Sequence, residues 1–182
     1  VGDAESEYRR RGALRAGEES RVDVDFTATG PVVEGYLLDR FEQPRPGWGL
    51  VVHEFEGEDR AQVEVDGEGH FRLRWPRPGR LFFLALRTRG PGRNALLYLG
   101  ARQVPATGLG GVRFHLGPVE IGGRLAAPAG EEPPPRAEIE VYREKGVDLD
   151  LAGSIRLAAG EREFLLPALP AGTYRLVAQA PG

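Results

Sequence analysis

Apolar and polar residues alternate in short runs along most of the chain, and glycine and proline separate the runs. Val22-Asp-Val-Asp-Phe26 turns every second residue toward an interior, the period of a strand with one buried face. Val33 to Leu38 reads as the next strand, followed by a turn from Gln43 to Gly47. Trp48, Leu50 and Val52 then share one face of a strand, which predicts a buried Trp48. Ala61-Gln-Val63-Glu-Val65 alternates again before Asp66-Gly67, a turn of the hairpin type. Leu81 to Leu86 is continuously apolar, and residues 94–104 read as a further strand. No stretch before Gly90 carries a helical period. The pattern predicts an all-β protein with at most incidental helix.

One spacing occurs twice, ninety-three positions apart. Phe71-Arg-Leu73 leads through Pro78-Gly79 to Leu81, and Phe164-Leu-Leu166 leads through Ala171-Gly172 to Tyr174. Each reads as a strand, a tight turn and a second strand, so a hairpin is predicted at the end of each of two units. The rest of the chain follows the same order. Val112 to Leu116 matches Val22 to Phe26, Gly117-Pro118-Val119 matches Gly30-Pro31-Val32, and Gly123-Arg-Leu125 matches Gly35-Tyr-Leu37. Ala137 to Val141 takes the place of the strand at Trp48, and Ser154 to Leu157 pairs through Ala159-Gly160 with Phe164 to Leu166. Self-similarity at a fixed period is the signature of a tandem array. The expected division is a lead-in at 1–19, a first unit at 20–104, a linker at 105–111 and a second unit at 112–182. The Gly-rich linker predicts adjacent, loosely oriented units. Shifted by ninety, Tyr8 falls on Tyr98, Leu14 on Val104 and Val22 on Val112. Residues 7–26 therefore read as the tail of a preceding repeat, and the chain as a fragment of a longer array.

Composition narrows the function classes. There is no cysteine, so neither disulfides nor a Cys-based zinc site supports the fold. A net charge of -3 does not point to nucleic acid. The apolar run from Leu81 to Leu86 is far short of a membrane span.

The first unit carries Gly35, Leu37, Asp39, Pro44, Pro46, Gly47, Leu50, Asp66, Gly67, Gly69, Phe71, Leu73, Pro78 and Gly79 in a pattern that resembles the carboxypeptidase regulatory-like domain, a transthyretin-like β-sandwich. The second keeps Gly123, Leu125, Phe164, Leu166, Leu169, Pro170, Gly172 and Tyr174, but shows Ala159-Gly160-Glu161 where the first has Asp66-Gly67. The resemblance implies two tandem Ig-like, prealbumin-like antiparallel sandwiches. It implies no catalytic motif, and a role as spacer, surface or accessory module in the bacterial envelope or outside the cell.

Candidate chemistry is sparse. His53, His70 and His115 stand at no metal-ligand spacing, and Ser6, Ser20 and Ser154 lie in no nucleophile motif. The sole lysine, Lys145, and the sole asparagine, Asn94, fall in different units, which argues against an isopeptide cross-link. Asp148 and Asp150 share one strand face and are the candidate calcium ligands. Arg72, Arg74, Arg77 and Arg80 surround Trp75, with Arg87, Arg89 and Arg93 nearby. Guanidinium groups clasp carboxylate or sulfate, and an exposed indole stacks on a sugar. The competing reading pairs Arg72 and Arg74 with Glu64 and Asp66, with Glu54, Glu56, Glu58 and Asp59 as further partners. The reading is thus a non-catalytic structural or binding module without a cofactor, monomeric as a fragment. Its partners would be protein or polysaccharide, with no nucleic acid and no insertion into a membrane. The alternatives are an accessory domain beside a hydrolase or transporter, and a module for anionic glycans.

Overall fold

The structure, a computed structural model, describes residues 30–54, 59–127, 134 and 136–179. The strand read at 22–26, the lead-in, Glu56 and Glu58 lie outside the described residues. The described residues contain twelve strands and no helix. They are β1 (Val32–Asp39), β2 (Trp48–Glu54), β3 (Arg60–Glu64), β4 (His70–Arg74), β5 (Gly79–Arg87) and β6 (Leu96–Val104). Then follow β7 (Leu109–Leu116), β8 (Val119–Arg124), β9 (Ala137–Lys145), β10 (Asp148–Leu157), β11 (Glu163–Leu169) and β12 (Tyr174–Gln179).

They form a seven-stranded sheet in the order β12-β9-β10-β6-β5-β2-β3, a three-stranded sheet β4-β1-β7, and a two-stranded sheet β11-β8. The smaller sheets pack on the large one, and their inward residues make one continuous apolar core. Phe114 on β7 reaches across to Phe83 on β5, with ring centroids 5.0 Å apart. The alternating residues read as inward are inward: Val33 and Leu37, Leu50 and Val52, Phe71 and Leu73, Leu81 and Phe83 are all buried. Trp48 is buried too.

One pairing scheme occurs twice. β1 pairs with β4, placing Gly35 opposite Phe71, and β8 pairs with β11, placing Gly123 opposite Phe164. Val52 on β2 lies between Ala61 of β3 and Phe83 of β5, as Val141 on β9 lies between Gly153 of β10 and Leu176 of β12.

Among the described residues the strands occur where the sequence placed them, but their partners differ. β4 and β5 do not form a hairpin, and neither do β11 and β12: each pair crosses from a small sheet to the seven-stranded one. Pro76 and Pro78 cannot donate ladder hydrogen bonds, and buried Trp75 carries the chain through the core. The turns at Asp66 and Gly160 are crossings as well, because β3 and β10 belong to the large sheet while β4 and β11 do not.

The stretch read as a linker is a short turn closed by Gly108 N–H donating to Pro105 O at 3.0 Å, and Leu109 to Gly111 already belong to β7. β7 runs parallel to β1, with Leu37 opposite Phe114, a departure from a wholly antiparallel sandwich. β6 pairs with β5 along its length and with β10 at Leu97–Gly153 and Leu96–Ser154, so hydrogen bonding joins the halves across a seam.

Candidate functional site

The arginine cluster is contiguous in sequence and divided in space. Phe71 and Leu73 point into the core from the three-stranded sheet, so Arg72 and Arg74 point outward from it. Arg80 lies on β5 of the opposite sheet, outward next to buried Leu81, with its guanidinium 5.7 Å from the Phe82 ring centre. The same pleat that buries Phe71 and Leu81 sends these arginines to opposite faces of the sandwich.

Trp75 is not the exposed platform the sequence suggested. It is fully buried, and its Nε1–H donates to Glu54 Oε1 at 3.1 Å. Arg77 grips the same carboxylate through Nε at 2.9 Å and a second nitrogen at 2.5 Å. Only 11% of the Glu54 side chain is exposed. The Arg77 hydrogen bond holds the Glu54 carboxyl below its usual range, against the opposing effect of burial. Asp59 lies 3.8 Å from Arg77. Of the acidic partners anticipated for the cluster, Glu54 and Asp59 serve. Glu64 and Asp66 do not pair with Arg72 and Arg74, because β3 and β4 belong to different sheets. Arg72 instead sits 3.8 Å from Glu34 on neighbouring β1, and Arg74 donates to Gly30 O at 3.2 Å. Asp66 caps its own turn, accepting from the Glu68 and His70 amides.

The calcium candidates stand on the exposed end of β10, where Asp150 pairs with Lys145 at 2.5 Å across the hairpin to β9. No group of three or more possible metal-ligating side chains converges among the described residues. The histidines serve separate neighbours. His53 stacks on Phe82, His70 lies 3.2 Å from Glu34, and His115 lies 2.7 Å from Glu42.

One feature escaped the sequence. A cleft of about 240 Å³ opens where β6 and β7 meet the second half, with Leu97, Leu99 and Phe114 among its apolar lining and Arg102, Arg113 and His115 among its polar side chains. Glu42 bonds both Arg113 and His115, which keep its carboxyl below the ordinary range, the His115 hydrogen bond most of all. Arg102 lies over the Phe114 ring and donates to Ala101 O at 2.8 Å. Arg113 and His115 were visible as outward residues of an alternating strand. Their partner was not, since Glu42 lies seventy-one residues before Arg113. These contacts clamp the β1–β2 turn onto β7.

No family model matches the chain, and no curated protein matches it. Among solved structures it is similar to a streptococcal ancillary pilin at 13% identity and a TM-score of 0.33. That match covers 84% of this chain, which spans 54% of the pilin's length. No helix among the described residues is long and apolar enough to cross a membrane.

Proposed function

We propose that this chain is a non-catalytic structural module, two β-sandwich units in tandem that set the distance and orientation of their neighbours in a surface or secreted bacterial protein. One observation carries the reading: the same pairing scheme occurs twice, and β6 joins the two occurrences into one seven-stranded sheet. A flexible tether holds neighbours near each other, whereas a shared sheet fixes their angle. The bacterial surface location and the accessory role rest on the motif resemblance. The glycan-binding alternative is weakened by the burial of Trp75, which removes its stacking ring.

Residual dipolar couplings test the spacer reading. Amides of β2 and β9 should fit one alignment tensor in two different media. Two independent tensors would mean a hinge at the seam and would end this proposal, as would turnover of a peptide, ester or glycoside at enzyme-like rates.

A further inference from the structure

The two occurrences of the pairing scheme differ in which edges are covered. In the first half, β6 covers the outer edge of β5, and β7 covers the outer edge of β1. The equivalent edges of the second half, on β12 and β8, have no partner strand among the described residues.

Burial records the difference. Phe83 and Ala85 on β5 are fully buried, while their counterparts Leu176 and Ala178 on β12 are exposed, Leu176 by 42%. Val33 and Leu37 on β1 are fully buried, while Ile121 and Leu125, in the corresponding stretch, are half-buried.

The glycines bear on whether a strand could approach. A Cβ on Gly35 would lie 2.1 Å from Val112 O, so glycine is what lets β7 approach β1. Gly123 holds the corresponding position on β8 and is exposed, and the atoms nearest to a Cβ there would be those of the Phe164 ring, at 2.7 Å. The Phe164 ring accounts for this glycine within the second half, and with no side chain at 123 the open edge is also unobstructed for a β7-like strand.

We infer that the free edges of β8 and β12 are a docking surface for a second copy of this chain, arranged head to tail. The strand that fits β8 is present in the sequence. Val22-Asp-Val-Asp-Phe26 repeats the alternation of Val112-Arg-Phe-His-Leu116, and Gly-Pro-Val follows each, directly after Leu116 and, past three intervening residues, after Phe26. Residues 22–26 of the second copy would lie parallel to β8 with Val22 opposite Gly123, as Val112 lies opposite Gly35. The residues before them, at the positions that match β6, would run along β12. Main-chain hydrogen bonds and alternate apolar side chains would supply the affinity, as in strand addition to any open sheet edge. Donor and acceptor differ, so the contact is heterologous and propagates rather than closing into a dimer. This inference deepens the spacer reading and rests on it in treating the second half as a unit built to be followed by another.

Sedimentation equilibrium across a concentration series tests the docking. The weight-average mass of the whole chain should climb with concentration past twice 19.8 kDa. A variant lacking residues 1–28 loses the donor strand, and Gly123→Arg blocks the acceptor edge. Each alone should remain monomeric, and a mixture should form a one-to-one pair and stop there. That complementation requires both variants to be folded, so it separates a blocked interface from a collapsed protein. A whole chain that stays monomeric throughout, or a deletion variant that assembles equally well, would overturn the inference. So would monomeric β8 amides protected from exchange only while residues 1–28 are present, because that segment would then fold back on its own chain. Any of these results leaves the dipolar-coupling test of the spacer reading untouched.

Discussion

Glu54 shows how much one side chain can organise. It receives the buried indole of Trp75 and the exposed guanidinium of Arg77 on one carboxylate. Glu54→Gln keeps an acceptor for the indole and loses the charge, whereas Glu54→Ala loses both and strands a buried N–H. A hydrogen bond to a charged group contributes about 1.5–3 kcal/mol, and an unsatisfied buried donor costs about 1–3 kcal/mol. Urea titration at pH 7 should therefore find Glu54→Ala less stable than wild type by about 2–3 kcal/mol, and Glu54→Gln by about 1 kcal/mol, because Arg77 is largely exposed and its attraction is screened by water. The pH dependence has a definite sign. The folded carboxyl titrates below its unfolded value, so its contribution is complete above the ordinary carboxylate range and fades as pH falls through the folded pKa. The gap between wild type and Glu54→Gln should close in acid. A gap that stayed constant from pH 7 to pH 3 would show that the charge contributes nothing. None of this was legible in the sequence, where Trp75 sat among prolines and arginines and read as a surface residue. The pleat period reports which residues face inward. It is silent on a tryptophan in a connection, whose burial depends on where the chain goes next.

Strands were legible and their partners were not, and the crossings explain why. Phe71 and Leu73 alternate with Arg72 and Arg74 whichever neighbour β4 finds, so the alternation located the strand without its sheet. A hairpin and a crossing differ only in the connection. Here Pro76 and Pro78 make the crossing, and they read equally well as turn residues. The parallel pairing of β1 with β7 joins residues too distant in sequence for any local pattern to announce. Its physical trace is Gly35, which looks like an ordinary motif glycine until Val112 O is found where its Cβ would be. Gly35→Ala should force β7 away from β1 and destabilise the protein by about 1–3 kcal/mol, the usual cost of overpacking. Gly123→Ala, at the same motif position, should cost less than Gly35→Ala, because its Cβ would displace the end of the Phe164 ring rather than a strand carbonyl. Thermal unfolding of the two single variants checks the contrast. Equal shifts would mean that the glycines answer a common turn requirement and that the strand at 109–116 has no part in it.

At the scale of the molecule, the boundary drawn from composition falls inside a sheet. Pro105 to Gly111 has the Gly-rich character of a linker, yet cutting there would strip β7 from β1 and uncover Val33, Leu37 and Phe71. A fragment of residues 30–104 should fail to fold, and one of residues 30–116 should fold, because only the second keeps Phe114 against Phe83. Tryptophan fluorescence with amide proton dispersion distinguishes them through buried Trp48 and Trp75. A well-dispersed 30–104 fragment would show that β7 is dispensable. The candidate site was the least legible part of the chain, since the pleat placed Arg72 and Arg80 on opposite faces while sequence listed them side by side.

The parallel seat of β7 beside β1 also bears on how such a protein changes length over evolutionary time. The segment that recurs in the sequence and the body that buries its own core are out of phase, because the second occurrence of the pattern begins with strands, β6 and β7, that complete the first. A recombination event that drops or adds one full period, wherever it cuts, exchanges one such opening strand for another of the same pattern. An internal edge filled in this way stays filled. Copy number is therefore expected to drift more easily than the sequence within a period, where a frame-preserving loss of a few residues would put Gly35 or Phe114 out of register with its partner strand.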